Sequence, residues 1–544
     1  KYYDDFVRNG AGLNEDQKKR LREINQTLAT LQLRFGENLL AETNTNFLLI
    51  VDQQKDLDGL PADVIQAAAE AAAQTGHEGS WVFTLQKPSM IPFLQYARNR
   101  QLREKLYRGY FMRGDNDNAN DNKKIILEMM GLRAEKAQLL GYPNWAEFVI
   151  SNNMAKSSES VYQFLNGIMA PALEAAIRDR EAMQKMIDAE KGGFRLESWD
   201  WWYYAEKLRK QQYDLDETEL KPYFVLGNVR DGMFYTATQL YGIRFRQLKD
   251  LPVYHPEVET FEIQDEKGQH LGILYLDYHP RPGKRVGAWC GAFRDQSYEN
   301  GKRITPVITI TCNFTRPVGD DPALLTWDEV STLFHEFGHA LHGLFSDGPY
   351  DRVAGNLPRD MVELPSQVME HWASEPAVMK VYARHYKTGE VIPEALMGKL
   401  KKSLVFNQGF ETVEYIAASL LDLDWHSIKE PVTTGVNEFE KQSMDKAKLI
   451  PEIIPRYRTT YFNHIIGGYS AGYYVYLWAA VLDCDAFRAF EESGDIFNKE
   501  LATAFRKYVL TEGGNGEGMN QYLKFRGKSP QPDALLEKRG LKTK

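Results

Sequence analysis

The sequence predicts a mainly α protein of two or more lobes, with a small β-sheet just ahead of the helix that carries the chemistry. Three observations point there. Apolar residues recur at three, four and seven positions through almost all of the first 220 residues, the period of helices with one buried face. Near residue 250 the pattern changes to short alternating and β-branched runs. A chain of 544 residues with 43% hydrophobic content has material for more than one core.

Residues 14–43 place Leu21, Ile24, Leu28, Leu31 and Phe35 on one helical face, with Asn14 as N-cap and Gln17 as its N3 partner. An alanine-rich helix follows over 61–75, opened by Pro61. Further helices are expected over 91–108, 121–140, 144–151, 158–191 and 201–213. The aromatic cluster Trp199, Trp201, Trp202, Tyr203 and Tyr204 is read as packing between helices rather than as a ligand platform. Residues 259–263 and 271–278, separated by the turn-prone 265–268, form a hairpin. A glycine-rich connection over 281–291 leads to a half-buried strand over 306–314. An exposed edge of this sheet could align an extended peptide, or could simply pack. Beyond residue 345 come an irregular loop over 347–356 and helices over 361–386, 393–429 and 473–492. No repeat or low-complexity linker marks a cut, and the expected division is 1–220 and 221–544.

The net charge of −9 gives no electrostatic case for nucleic acid, and no apolar window of 18 residues offers a membrane span. Cys290, Cys312 and Cys484 are too few and too scattered for a disulfide framework. The expected setting is the reducing cytoplasm, or the periplasm if a leader is removed.

The helix expected around Val330, Leu333, Phe334, Phe337, Leu341 and Leu344 carries His335-Glu336-Phe337-Gly338-His339, the H-E-x-x-H pattern. Residues four apart share a helix face, so both imidazoles reach one ion, and zinc accepts nitrogen and carboxylate ligands with one position left for water. Glu336 is then placed to take that water's proton. The competing reading is a core helix with satisfied histidines. A third ligand is needed. His342 lies about 10 Å along the axis from His335, too far to share the ion. The metzincin pattern would need glycine at 342 and histidine at 345, where the chain has His342 and Phe345. Asp360, Glu363 and Glu370 remain open on spacing alone.

His335-Glu-Phe-Gly-His-Ala-Leu-His-Gly343, followed by Pro358-Arg-Asp-Met-Val-Glu-Leu-Pro-Ser-Gln-Val-Met-Glu-His-Trp372, resembles the thimet-oligopeptidase family of zinc peptidases. So does Phe462-Asn-His464-Ile-Ile-Gly-Gly-Tyr469-Ser-Ala-Gly-Tyr473-Tyr474-Val-Tyr476-Leu-Trp478, which is similar to the family's Gly-Tyr loop. Similarity to its peptidyl-dipeptidase branch extends from Phe6-Val-Arg-Asn-Gly10 through Trp199-Asp-Trp-Trp-Tyr-Tyr-Ala-Glu206 to Phe525-Arg-Gly-Lys528 and Arg539-Gly-Leu541.

The resemblance implies two helical lobes around a deep substrate channel and one zinc ion per chain, held by His335, His339 and Glu363. It implies that Glu336 acts as general base, that Tyr473 and Tyr476 donate to the oxyanion with His464 assisting, and that Tyr469 contacts substrate. Short peptides would be the partners of a monomeric enzyme that releases C-terminal dipeptides, with Arg359 a candidate for the terminal carboxylate. An endo-acting oligopeptidase and an inactive peptide-binding protein are the alternatives. Members of the family carry a further helical segment ahead of where this chain begins, and between His339 and Glu363 this chain is one residue shorter, with Ala354-Gly-Asn-Leu-Pro358 in place of their Gly-Thr-containing loop.

Overall fold

A computed structural model describes residues 2–542 apart from 214–216, 282–283, 285–286, 315, 318–320, 351–352, 513 and 515. Parts of the expected 281–291 connection and 347–356 loop therefore lie outside the described residues. Helix accounts for 57% and strand for 9%, so the protein is mainly α. Two compact units share the chain. The first gathers Lys1–Tyr213, Phe406–Tyr474 and Arg539–Thr543, and the second Asp214–Val405, Val475–Lys538 and Lys544. A single cut at residue 220 does not describe this grouping. The chain returns to the first unit because the Gln408–His426 helix, buried along nearly its whole length, packs on the Ser158–Ala189 helix.

In the first unit the Glu15–Asn44 helix starts with a reciprocal cap: Gln17 N donates to Asn14 Oδ1 (2.9 Å) and Asn14 N to Gln17 Oε1 (3.1 Å). It buries Leu21, Ile24, Leu31 and Phe35 of the stripe that the spacing predicts, and leaves the fifth member, Leu28, half-buried. The helix expected over 91–108 is two, Lys87–Tyr96 and Arg100–Phe111. Asn99 caps the second through Leu102 N, and Arg103 Nη1 donates to the Ala97 and Arg98 carbonyls freed at the break. Strands β1 (Leu49–Val51) and β2 (Trp81–Phe83) form an antiparallel ribbon. The aromatic cluster packs as expected: Trp201 is fully buried and stacks on Phe410, with centroids 4.9 Å apart.

The second unit holds a five-stranded sheet of β3 (Arg244–Leu248), β4 (Glu259–Gln264), β5 (His270–Asp277), β6 (Trp289–Arg294) and β9 (Val307–Thr311). The order is β3-β4-β5-β9-β6, antiparallel except for β5 and β9. The expected hairpin is β4–β5, closed by Asp265 Oδ1, which accepts from Lys267 N and Gln269 N. Strands β7 (Ser297–Glu299) and β8 (Lys302–Ile304) make a separate ribbon. The Trp327–Phe345 helix lies against β9 and β6. No helix among the described residues is long and apolar enough to cross a membrane.

Candidate metal centre and its neighbours

Thr326 and Glu329 cap the Trp327–Phe345 helix reciprocally, a T-x-x-E signal at its first turn. Val330, Leu333, Phe334, Phe337, Leu341 and Leu344 are at most 1% exposed, so the apolar stripe is fully used in packing and fixes the helix's rotation. His335 and His339 then stand on the other face, ring centroids 5.1 Å apart.

Glu363 reaches them from the residue capping the Leu364–Ala373 helix. Its Oε2 lies 3.4 Å from His335 Nε2 and 3.2 Å from His339 Nε2. The approach depends on Gly338. A Cβ there would sit 2.1 Å from Pro365 O and 2.6 Å from Ser366 Cα, so the two helices cross in backbone contact. Of the three acids left open by spacing, Glu363 joins the cluster with His335 and His339, whose ligand atoms all lie within 4.8 Å of one another. Glu370, two turns further along, takes a different place: its Oε1 is 2.6 Å from His335 Nδ1, and Ser331 Oγ donates to its Oε2 (3.3 Å). That bond puts a proton on Nδ1 and frees Nε2 as a ligand. His342 is buried and stands outside the cluster, as the axial distance requires.

Two imidazole nitrogens and a carboxylate oxygen facing one point fit a zinc ion. Tetrahedral bonds of about 2.0–2.1 Å put neighbouring ligand atoms roughly 3.3–3.4 Å apart, close to the separations here. Burial works against charge on His335, but the carboxylates on both of its nitrogens outweigh it and push its pKa up to about 10. Glu363 is half-buried, and its desolvation would raise it, yet the two histidines hold it well below the usual carboxylate range. The cluster thus attracts positive charge, and a divalent cation would displace protons from it.

Glu336 is 6% exposed, and its Oε2 has no hydrogen-bond partner among the described residues. Burial pushes its carboxyl above the ordinary range, with His335 and His339 opposing and the backbone N–H of Cys290 holding one side. Cys290 lies on β6, an edge strand of the sheet. A buried carboxylate with an unsatisfied oxygen beside two imidazoles is equipped to take a proton. Gly338, Ser331 and the Cys290 N–H are the contributors that the motif alone does not announce; of these, only the glycine between the two histidines gives a visible signal.

The Gly-Tyr segment lies mostly in the first unit. His464 sits on the short Asn463–Ile466 helix, its ring 5.3 Å from Tyr473 and 6.2 Å from Tyr469. Tyr473 is 4% exposed and stacks on Tyr415 at 5.0 Å; burial and that neighbour raise its pKa strongly. Burial, with Arg456 and Lys87, lowers that of His464. Tyr476 belongs to the second unit, near the start of the Val475–Glu492 helix, and its carbonyl accepts from Gln367 Nε2 at 3.5 Å, one turn past Glu363. Arg359 lies four residues before Glu363 and outside the cluster.

The model of peptidase family M3 matches residues 93–541. The chain is 42% identical over 98% of its length to a dipeptidyl carboxypeptidase of Salmonella typhimurium, covering 79% of that protein. It is 36% identical over 99% of its length to oligopeptidase A of Escherichia coli, covering 80% of it. Among solved structures, PZ peptidase A has the same fold, with a TM-score of 0.51 at 15% identity over 97% of this chain and 76% of that one. A fold, a histidine–glutamate cluster and near full-length sequence likeness thus converge, and the chain belongs to peptidase family M3.

Proposed function

We propose that this metallopeptidase is zinc-dependent and releases dipeptides from the C-termini of oligopeptides. The observation that carries the reading is the convergence of His335, His339 and Glu363 beside the buried, half-unsatisfied carboxylate of Glu336. These three residues would hold one zinc ion, which supplies Lewis acidity, polarising the carbonyl to be split and acidifying water. Glu336 removes the proton from the attacking water and returns it to the leaving amine, so that water and peptide become a carboxylate and a free amine. The oxyanion that develops needs hydrogen-bond donors, and the phenols of Tyr473 and Tyr476 take that role, with His464 assisting; losing such a donor costs about 3 kcal/mol of barrier. Tyr469 contacts the substrate. Strand β6 offers an extended peptide an edge beside Glu336. A reducing cytoplasmic setting fits a chain with only three, widely scattered cysteines.

Digestion of one oligopeptide with a free and with an amidated C-terminus, followed by mass analysis, tests the proposal. Dipeptides released from the free form alone support it; equal cleavage of both at internal bonds replaces it by endopeptidase action. That second reading has its own support in the 36% identity to oligopeptidase A.

A further inference from the structure

We infer that Asp422, His426 and Arg133 form a buried relay that sets the backbone of the Gly-Tyr loop and so aims the Tyr473 phenol. They act as positioning residues, and the inference rests on the reading of Tyr473 as an oxyanion donor. All of them lie in the first unit. Asp422 is 1% exposed; its Oδ1 accepts from Ala471 N (2.8 Å) and its Oδ2 from Tyr473 N (2.9 Å). His426 Nδ1 stands 2.8 Å from Asp422 Oδ1 and 2.7 Å from the Asp422 carbonyl. On the other side of the ring, Arg133 Nη1 is 2.7 Å from His426 Nε2. An arginine only donates, so Nε2 accepts and the imidazole proton sits on Nδ1, facing Asp422. Arg133 then donates onward to the Ile465 carbonyl from Nη1 and the Ile466 carbonyl from Nη2, both at 2.7 Å.

One chain of three side chains thus grips the loop before and after its glycine-rich bend. It does so at a strained residue: Ala471 has φ +51°, where a side chain is disfavoured. The carboxylate receives the N–H groups of Ala471 itself and of Tyr473, holding the strained turn that orients the tyrosine. Tyr415 completes the grip, its hydroxyl donating to the Tyr473 carbonyl and its ring stacking on the Tyr473 ring. A core pair needed only for stability would not have to meet the backbone on both sides of one loop.

The test is steady-state cleavage of one oligopeptide by zinc-loaded variants. Asp422→Asn keeps the shape but cannot accept both N–H groups. We expect kcat to fall about 10–100-fold with KM within about threefold and zinc content unchanged, since the loss is one of aim toward a transition-state donor. In a Tyr473→Phe background Asp422→Asn should cost nothing more, because the group it aims is gone. Adding Ala471→Gly to Asp422→Asn should restore part of kcat, because glycine holds a positive φ unaided. Full activity of Tyr473→Phe would remove the donor reading and this inference with it. A slow Tyr473→Phe with an active Asp422→Asn, with multiplying effects, or without rescue by Ala471→Gly, would overturn the relay alone. If Asp422→Asn does not fold, Arg133→Lys, which keeps the charge but replaces the two-nitrogen fork by a single nitrogen, is measured in the same backgrounds.

Discussion

Replacing Gly338 by alanine asks whether the crossing of two helices sets the ligand geometry. The new Cβ would stand 2.1 Å from Pro365 O, against the 3.4 Å at which ordinary contact begins, so the Leu364–Ala373 helix must retreat by the difference, 1.3 Å. The obstacle is backbone and has no rotamer in which to turn aside. Folding should survive: alanine gains about 1 kcal/mol of helix propensity, and overpacking costs about 1–3 kcal/mol, against a total stability of about 5–15 kcal/mol. The ligand set should not survive intact, because metal bonds tolerate displacements of only about 0.2 Å. We expect zinc affinity, measured by chelator competition, to fall by more than the roughly 10–100-fold that follows loss of an outer partner. At saturating zinc, kcat/KM should remain about 10²-fold low, the usual effect of a misplacement near 1 Å. Gly343→Ala on the same helix is the control, since its Cβ would meet only the Ile308 side chain, at 2.8 Å. Equal zinc affinity in Gly338→Ala and the wild type would refute the argument.

Glu336→Gln should keep zinc by elemental analysis and lose about 10²–10⁴-fold in kcat; retained turnover would remove the proton-transfer role. Glu370→Gln should weaken zinc about 10–100-fold, because the bond that fixes the His335 tautomer is weakened, and calorimetric titration of metal into stripped protein reads this directly. In the first unit, burial, against the opposing Arg456, raises Glu414 to about 7 from the 4.5 of an ordinary glutamate. A raised carboxyl favours the fold fully below about pH 4.5 and progressively loses that contribution up to about pH 7, here about 3 kcal/mol. Glu414→Gln should therefore raise the urea midpoint at pH 8 and leave it nearly unchanged at pH 4.5; no difference at pH 8 would discard the shift.

Much of this was legible where local chemistry decides. The Asn14 and Gln17 cap, the β4–β5 hairpin and the stripe on the Trp327–Phe345 helix follow from spacing, because each depends on residues near in sequence. What escaped depends on distant partners. The Leu226–Tyr241 helix, not among those expected, carries Gly232, where a Cβ would meet Tyr382 Cβ at 2.6 Å, so the glycine serves packing. The break at residues 97–99 is stabilised by Arg103 reaching back to its carbonyls. At the candidate centre, periodicity gives the two histidines but leaves Asp360, Glu363 and Glu370 equivalent; family likeness chose Glu363. The physical selector is the contact at Gly338, together with a cap position that sets Glu363 at the helix end while Glu370 is carried round to the far nitrogen of His335.

Glu363 and Glu370 sit at opposite ends of one short rod, and this bears on how the gene can change. Deleting any residue between them would swing the second acid by about 100° around the axis and leave the ring it steadies behind. Loss or gain of a residue between Phe345 and Pro358 carries no such rotation, because both neighbouring helices are anchored by their own packing. Length variation among descendants of this chain should accordingly collect in that connector and spare the eight codons from Glu363 to Glu370.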